Sequence, residues 1–362
     1  MKNKRVALAL AIVAGLVVVA AGSAYAFRRP LGVALCNSVA RSTMATRNAP
    51  LPDGLYAGLS GTGAPMPDKN RAGPSIAVLA GTHLYIVDSG SGSTRNLRLM
   101  GFPVAKIEAI LLTHFHSDHI ADLGELELQR WAAGSMMSPV DVIGPRGVET
   151  VVEGFNLAYR LDDGYRVAHH GAATMPPSGA GGIARPFDLS DSPTASKVIL
   201  NADGVKITAF TVDHRPVTPA VGYRFDYKGR SLVISGDTRY SASLVEAAKG
   251  ADILFCEALN ASMVEAINVN SGLAASSSTA KITHDIPSYH STPEDAARMA
   301  KEAGVRQLVL YHLIPPLPSP FLKNFFLGEA KAIYAKPITM SEDGMLVSLP
   351  PDSAAISIRR VF

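Results

Sequence analysis

The segment Thr113-His114-Phe115-His116-Ser117-Asp118-His119 gathers three imidazoles and a carboxylate within a short stretch of chain. In an extended segment, residues two apart project to the same side, so His114 and His116 can converge on one ion. Asp118 and His119 follow where the chain turns toward a helix, and they can face a neighbouring ion. Imidazole and carboxylate in this mixture suit zinc, which at catalytic sites keeps an open position for water. One loop does not complete the coordination of a pair of ions, so more distant residues must contribute. His214 lies in Asp213-His214-Arg215, just past a strand expected over Lys206–Val212. Asp237 lies in Ser235-Gly236-Asp237-Thr238, directly after the apolar run Leu232–Ser235. His312 is expected to end the buried strand Leu308–Tyr311. All three stand at strand ends, the usual place for active-site groups in open α/β sheets.

The elements that must hold these residues alternate in type. Ser75–Leu79 and His83–Val87 read as hairpin strands around Ala80-Gly81-Thr82. Ile107–Thr113 is a continuous apolar strand, followed by a helix expected over Ala121–Ala133. Val140–Ile143, Lys206–Val212, Val221–Tyr227, Ser231–Ser235 and Gln307–His312 read as further strands. Ser243–Gly250 and Pro293–Gly304 read as helices, the second capped by Thr292 ahead of Pro293 and Glu294. Strands flanked by helices throughout indicate a layered α/β fold. Met175–Pro186, rich in Gly and Pro, and Asn268–His284, rich in Ser, Ala and Thr, read as long surface loops.

A chain of 362 residues with 47% hydrophobic residues, 18% charged residues and two cysteines is not disordered, disulfide-stapled or multi-pass membrane in class. The formal charge of +3 is concentrated at the start: Lys2, Lys4, Arg5, Arg28 and Arg29 lie in an acid-free stretch, and the remainder carries net −2. The body therefore lacks the basic footprint usual for nucleic-acid binding. Lys2, Lys4 and Arg5 precede Val6–Phe27, an uncharged run of 22 residues. This is the layout of an export signal, with Ala24-Tyr25-Ala26 resembling a cleavage site, and it is also long enough to span a bilayer (~20 residues). Positive residues ahead of the run place the body outside the cytoplasm. The expected organisation is a signal peptide or signal anchor over 1–29, a linker over 30–54, one main domain over 55–349 and a tail over 350–362. The protein is expected to be periplasmic or anchored to the inner membrane. Cys36 and Cys256, far apart in sequence, are both expected to be small buried hydrophobes.

The order H-x-H-x-D-H, then His214, then Gly236-Asp237-Thr238, then His312 resembles the metallo-β-lactamase superfamily. More closely, it is similar to the ribonuclease Z branch and its arylsulfatase-like relatives. Gly61-Thr62-Gly63-Ala64-Pro65, Asp88-Ser89-Gly90, Ser235-Gly236-Asp237-Thr238-Arg239 and His290-Ser291-Thr292 match that branch in order, and the resemblance covers about residues 55 to 315. It implies an αββα sandwich with the site at one edge of two facing sheets. It also implies that His114, His116, His214 and Asp237 hold one zinc ion and that Asp118, His119, Asp237 and His312 hold a second, Asp237 bridging. Two such ions about 3.5–4 Å apart lower the pKa of a shared water and give a hydroxide nucleophile near neutral pH. Asp118 would also orient the nucleophile. Glu257 and His290 match the carboxylate–imidazole pair that protonates the leaving oxygen in that branch; a carboxylate beside an imidazole favours the protonated ring. Asp88 is expected to support a ligand histidine from behind.

Some positions depart from the ribonuclease Z pattern. The Ser-x-Arg-Tyr-like run after the last ligand histidine is replaced by Leu313-Ile314-Pro315-Pro316-Leu317, and Cys256 stands where that branch has histidine. No basic arm is apparent, since Met175–Pro186 holds only Arg185. Tyr165–Gly171 and the Pro-Pro after His312 are similar to the arylsulfatase-like relatives, and His169 and His170 are candidates to line the pocket. The reading is thus an exported dizinc hydrolase of small sulfate or phosphate esters, with a small anionic ester rather than nucleic acid as partner and a homodimer compatible with it. The alternative is a ribonuclease Z-like phosphodiesterase or endoribonuclease acting in transfer RNA 3′ processing, with a lactonase ranked behind it. A diiron redox protein would prefer a carboxylate at His116, and a non-catalytic binder would not need every ligand intact.

Overall fold

Strands that are apolar on both faces need cover on both sides. The computed structural model, which describes residues 2–47, 51–190, 192, 194–270 and 277–362, provides it with two facing sheets and helices outside them. The strands are β1 (Leu55–Gly61), β2 (Ser75–Ala80), β3 (His83–Val87), β4 (Ile107–Leu111), β5 (Val140–Pro145), β6 (Gly182–Phe187), β7 (Ser196–Ala202), β8 (Val205–Thr211), β9 (Val221–Tyr227), β10 (Arg230–Ile234), β11 (Ile253–Leu259), β12 (Gln307–Ile314), β13 (Ile338–Met340), β14 (Met345–Leu349) and β15 (Ser357–Arg360). The first sheet runs β15-β14-β1-β2-β3-β4-β5-β6 and the second β13-β12-β11-β10-β9-β8-β7. In each, a run of parallel strands, β3 to β6 and β10 to β13, adjoins antiparallel partners.

Side-chain alternation divides the core into layers. Leu232, Ile234, Ile253, Phe255, Val309 and Tyr311 face Ile76, Val78, Tyr85, Val87 and Leu111 between the sheets. Their neighbours Val233, Leu254, Leu308 and Leu310 point outward against α6 (Ala242–Ala248) and α9 (Pro293–Ala303). Full burial of each such aliphatic or aromatic side chain contributes about 1.5–3 kcal/mol. The start of α9 is fixed by a reciprocal cap between Thr292 and Asp295, with Pro293 at the first helical position, as its sequence indicates. That cap stands two residues after His290.

Several expectations give way to the structure. Residues 1–51 and 52–362 form two units. In the first, α1 (Lys2–Arg47) continues through Pro30 into the segment 30–54 expected as a linker, because Ala, Leu and Arg there are strong helix formers. Leu10–Arg41 within it is long and apolar enough to cross a membrane. Cys36 is exposed on this helix rather than buried, whereas Cys256 is fully buried. The tail 350–362 belongs to the first sheet, since β15 pairs antiparallel with β14. Met175–Pro186 is not all loop: β6 pairs in parallel with β5, its main chain supplying hydrogen bonds that its Gly and Pro content obscures. The stretch 268–284 contains the end of α7 (Ala261–Asn270) and most of α8 (Ser278–Asp285); residues 271–276 lie outside the described ones.

The returning tail is tied down by one side chain. Arg230, 4% exposed, holds Asp252 through two bonds of 3.0 Å and donates to the carbonyls of Pro350 (2.7 Å), Ala355 (3.0 Å) and Ser353. Arg230→Ala takes the bidentate partner from a buried carboxylate and the donor from three carbonyls. The expected loss is about 3 kcal/mol, read as a lower denaturation midpoint in urea, with Asp252 keeping Arg306 at 2.9 Å and the Ser231 N–H at 3.0 Å.

Candidate metal centre

Four chain segments end at one edge of the sandwich. The β4 strand delivers His114 and His116 and leads into the short helix α3 (Ser117–Ile120), which carries Asp118 and His119. His214 follows β8, and Asp237 follows β10. Gly236 makes the second turn possible: its φ is +63°, and a Cβ there would lie 2.8 Å from the Val221 carbonyl oxygen.

His312 arrives by a device that alternation does not reveal. The β12 strand continues past it to Ile314, but Glu257 pairs with Tyr311 and Ala258 with Leu313, so His312 is the extra residue of a bulge. Its φ is +47°, in the left-handed region. A bulge re-aims one side chain without ending the strand, and here it points the imidazole at Asp118, with Nε2 3.2 Å from Oδ2.

The atoms of the expected ligands sort into two groups, and Asp237 and His312 make a third, overlapping one with His290. The ligand atoms of His114, His116, His214 and Asp237 lie within 4.8 Å of one another, and so do those of Asp118, His119 and His312. His116 Nδ1 is 3.0 Å from His114 Nε2 and 3.4 Å from His214 Nε2. Asp237 stands between the groups. Its Oδ2 is 3.8 Å from both His114 Nε2 and His214 Nε2, while Oδ1 is 3.2 Å from His119 Nε2 and 3.5 Å from His312 Nε2. Every residue expected as a ligand is thus brought together.

Whether the set fits a metal is tested by its unsatisfied atoms. His119 Nε2 and Asp237 Oδ1 are buried without a hydrogen-bond partner, although both point into the cluster. Buried polar atoms are rarely left so, and a cation held between the two would satisfy both. The donor set is imidazole nitrogen and carboxylate oxygen, which suits a divalent ion such as zinc.

In three of the ligand histidines the opposite ring atom is held from behind. Asp88 Oδ2 takes His119 Nδ1 at 2.8 Å, and the same carboxylate receives Thr113 N and Oγ1, both at 2.8 Å. Thr113 Oγ1 also sits 3.1 Å from His114 Nδ1, and the Tyr289 carbonyl is 2.9 Å from His214 Nδ1. Asp88 therefore does what was expected of it. Thr113 and the Tyr289 carbonyl were not foreseen: the first adjoins the motif and could have been, but a main-chain acceptor has no residue signature.

The electrostatics follow from burial and crowding. Burial holds His114 well below the usual imidazole range and lowers His214 to about 4. Burial alone would raise Asp237, but His312 and His119 outweigh it and keep the carboxyl well below its ordinary value. Burial would also lower His119, yet Asp237, Asp88 and Asp118 together push it well up. An acid-rich surrounding that would otherwise protonate His119 equally favours a metal cation.

Beside this cluster, His290 Nδ1 meets Glu257 Oε1 at 2.8 Å, and Thr238 N donates to the same oxygen at 2.9 Å. Glu257 is fully buried and its pKa is raised by burial and by Asp237. Burial lowers His290, so the expectation that the carboxylate would favour a protonated ring is reversed in direction. Glu257 holds Nδ1, which leaves Nε2 on the opposite side of the ring.

His169 and His170 do not join the site. Both are exposed in the last turn of α5 (Val148–His170), and among the described residues no metal-competent group includes them.

Comparison with known proteins agrees with this geometry. The family described as "Beta-lactamase superfamily domain" matches residues 85–313. The chain is 36% identical over 299 residues to a protein named Ribonuclease Z from Mycolicibacterium gilvum (strain PYR-GCK), covering 82% of this chain and 97% of the relative. It is 39% identical over 261 residues to a Ribonuclease Z from Mycobacterium avium (strain 104), covering 72% and 86%. Among solved structures, the metallo-beta-lactamase fold protein YhfI from Bacillus subtilis aligns with a TM-score of 0.57 at 22% identity, covering 82% of this chain and all of the other. The short form of human tRNase Z aligns at 0.56 and 21%, covering 82% and 99%; at such identities the likeness concerns the fold. The chain belongs to the metallo-β-lactamase superfamily, in its ribonuclease Z branch, and is a hydrolase.

Proposed function

We propose that this chain is a dizinc phosphodiesterase of the ribonuclease Z type, with RNA among its substrates. The observation that carries the reading is Asp237 offering one oxygen to each of two ligand groups. His114, His116, His214 and Asp237 would hold one ion, and Asp118, His119, Asp237 and His312 the other. When bound, such ions ionise a water near neutral pH and neutralise charge developing on phosphoryl oxygens. Asp118, with Oδ2 shared toward His119 and His312, aligns the nucleophile. Glu257 accepts from His290 Nδ1 and fixes the ring; once the anionic substrate draws a proton onto Nε2, His290 passes that proton to the leaving oxygen.

Two earlier expectations lose ground. Relatives at 36–39% identity carry the name Ribonuclease Z, which supports phosphodiesters over sulfate esters and weighs against leaving nucleic acid out. Export is a separate proposal: Leu10–Arg41 as a membrane span, tested by fractionating cells that express the full chain. The catalytic reading is tested with purified protein on bis(p-nitrophenyl) phosphate, a transfer RNA precursor, an aryl sulfate and a lactone. Turnover of the phosphodiester and the RNA is expected to exceed the other two by at least about a hundredfold. A preference for the aryl sulfate would overturn it.

A further inference from the structure

We propose that Arg215 and Arg239 form an anion subsite beside the metal centre, one that grips a phosphate neighbouring the scissile group. This rests on the phosphodiesterase reading and narrows it to substrates carrying several phosphates along a single strand. Each arginine belongs to a loop that carries a ligand: Arg215 directly follows His214, and Arg239 comes two residues after Asp237. The loops are fastened together, Asp213 N donating to Thr238 Oγ1 (3.1 Å) and Arg239 N donating to the Asp213 carbonyl (3.0 Å). That fastening brings both guanidiniums onto one carboxylate. Arg215 donates from Nε to Asp213 Oδ1 (2.9 Å) and from Nη2 to Oδ2 (2.8 Å), and Arg239 Nη2 lies 3.0 Å from Oδ2.

Two cations on one anion leave a local excess of one positive charge. The arginine side chains stay 69% and 42% exposed, so an ion pair this open adds little to stability. Shared restraint by Asp213 instead orients two planar forks whose geometry matches phosphate oxygens. Adjacent Cα atoms are about 3.8 Å apart, so the two arginines leave the backbone within one or two residues of a ligand. Arg71 is set apart by burial: its side chain is 9% exposed, and Nη1 donates to Thr62 Oγ1 and the Ser341 carbonyl at 2.6 and 2.7 Å. After His312 the sequence offers no cation before Lys323.

The test uses the zinc-loaded full-length protein and a fluorescein-labelled single-stranded oligouridylate, with Kd read by anisotropy over a salt series. R215A/R239A is expected to weaken binding on the order of tenfold. The slope of log Kd against log salt should fall by about 1.4, roughly 0.7 per lost contact. R215K/R239K, which keeps charge but not the fork, should recover most of the slope. Loss of affinity for the oligouridylate should exceed the loss of turnover on bis(p-nitrophenyl) phosphate by at least about fivefold. Unchanged Kd and slope, or equal losses on both ligands, would overturn the subsite. Failure of the wild type to hydrolyse bis(p-nitrophenyl) phosphate, with the Kd effect intact, would sink the phosphodiesterase reading and leave the subsite standing.

Discussion

Asp237→Ala is expected to strip the protein of nearly all bound metal and to lower kcat/KM by at least about a thousandfold. The size follows from position. Asp237 is 2% exposed, and its two oxygens face different ligand groups, so one substitution removes a ligand from each. The four histidine nitrogens around it, on His114, His119, His214 and His312, then lose the one carboxylate that, among the described residues, is common to both groups. By contrast, His116 is exposed at the rim of one group, and His116→Ala should empty that position while retaining about one equivalent. Metal content by mass spectrometry of the purified variants, measured alongside turnover, separates the two. Full metal occupancy in Asp237→Ala would refute the bridging assignment.

His290→Ala is expected to slow substrates with poor leaving groups by about 10²–10³-fold, the usual worth of a placed proton donor. Nitrophenyl esters, whose leaving group departs without protonation, should lose less than about tenfold. Glu257→Gln keeps the shape and an acceptor oxygen behind Nδ1, 2.8 Å away in the native chain, but removes the negative charge that favours the protonated ring, so it should show the same leaving-group dependence with a smaller loss. The contrast distinguishes proton donation from support of the fold, because a misplaced ligand would depress every substrate alike. A flat dependence of rate loss on leaving-group pKa would remove His290 from this role.

The site was legible where chemistry is written in contiguous residues. His114 to His119 needs only the two-residue period of an extended chain to read as a ligand set, and Asp237 and His214 follow apolar runs that any buried strand must contain. Glu257, His290 and Asp88 came through resemblance, since nothing local to them signals a role. The fold class was legible for the same reason: the central strands are apolar on both faces. Less was legible at the margins. The β6 and β15 strands are carried by main-chain pairing with β5 and β14, and backbone hydrogen bonds are indifferent to the glycines, prolines and charges that made those segments look like loops. α5 has one face on the sheet and the other in solvent, and its exposed Leu157, Leu161 and Tyr165 blur the pattern that would mark it.

From the sequence alone came the seven candidate ligands and the layered α/β class, because ligand chemistry and strand hydrophobicity are properties of residue type; Glu257 and His290 came by resemblance. Only the folded chain decided their arrangement. The bulge that turns His312 inward, the split of Asp237 between two groups, and the meeting of Arg215 and Arg239 on Asp213 each depend on atoms from strands far apart in sequence. Register and loop docking bring those atoms together, and no side-chain period encodes either.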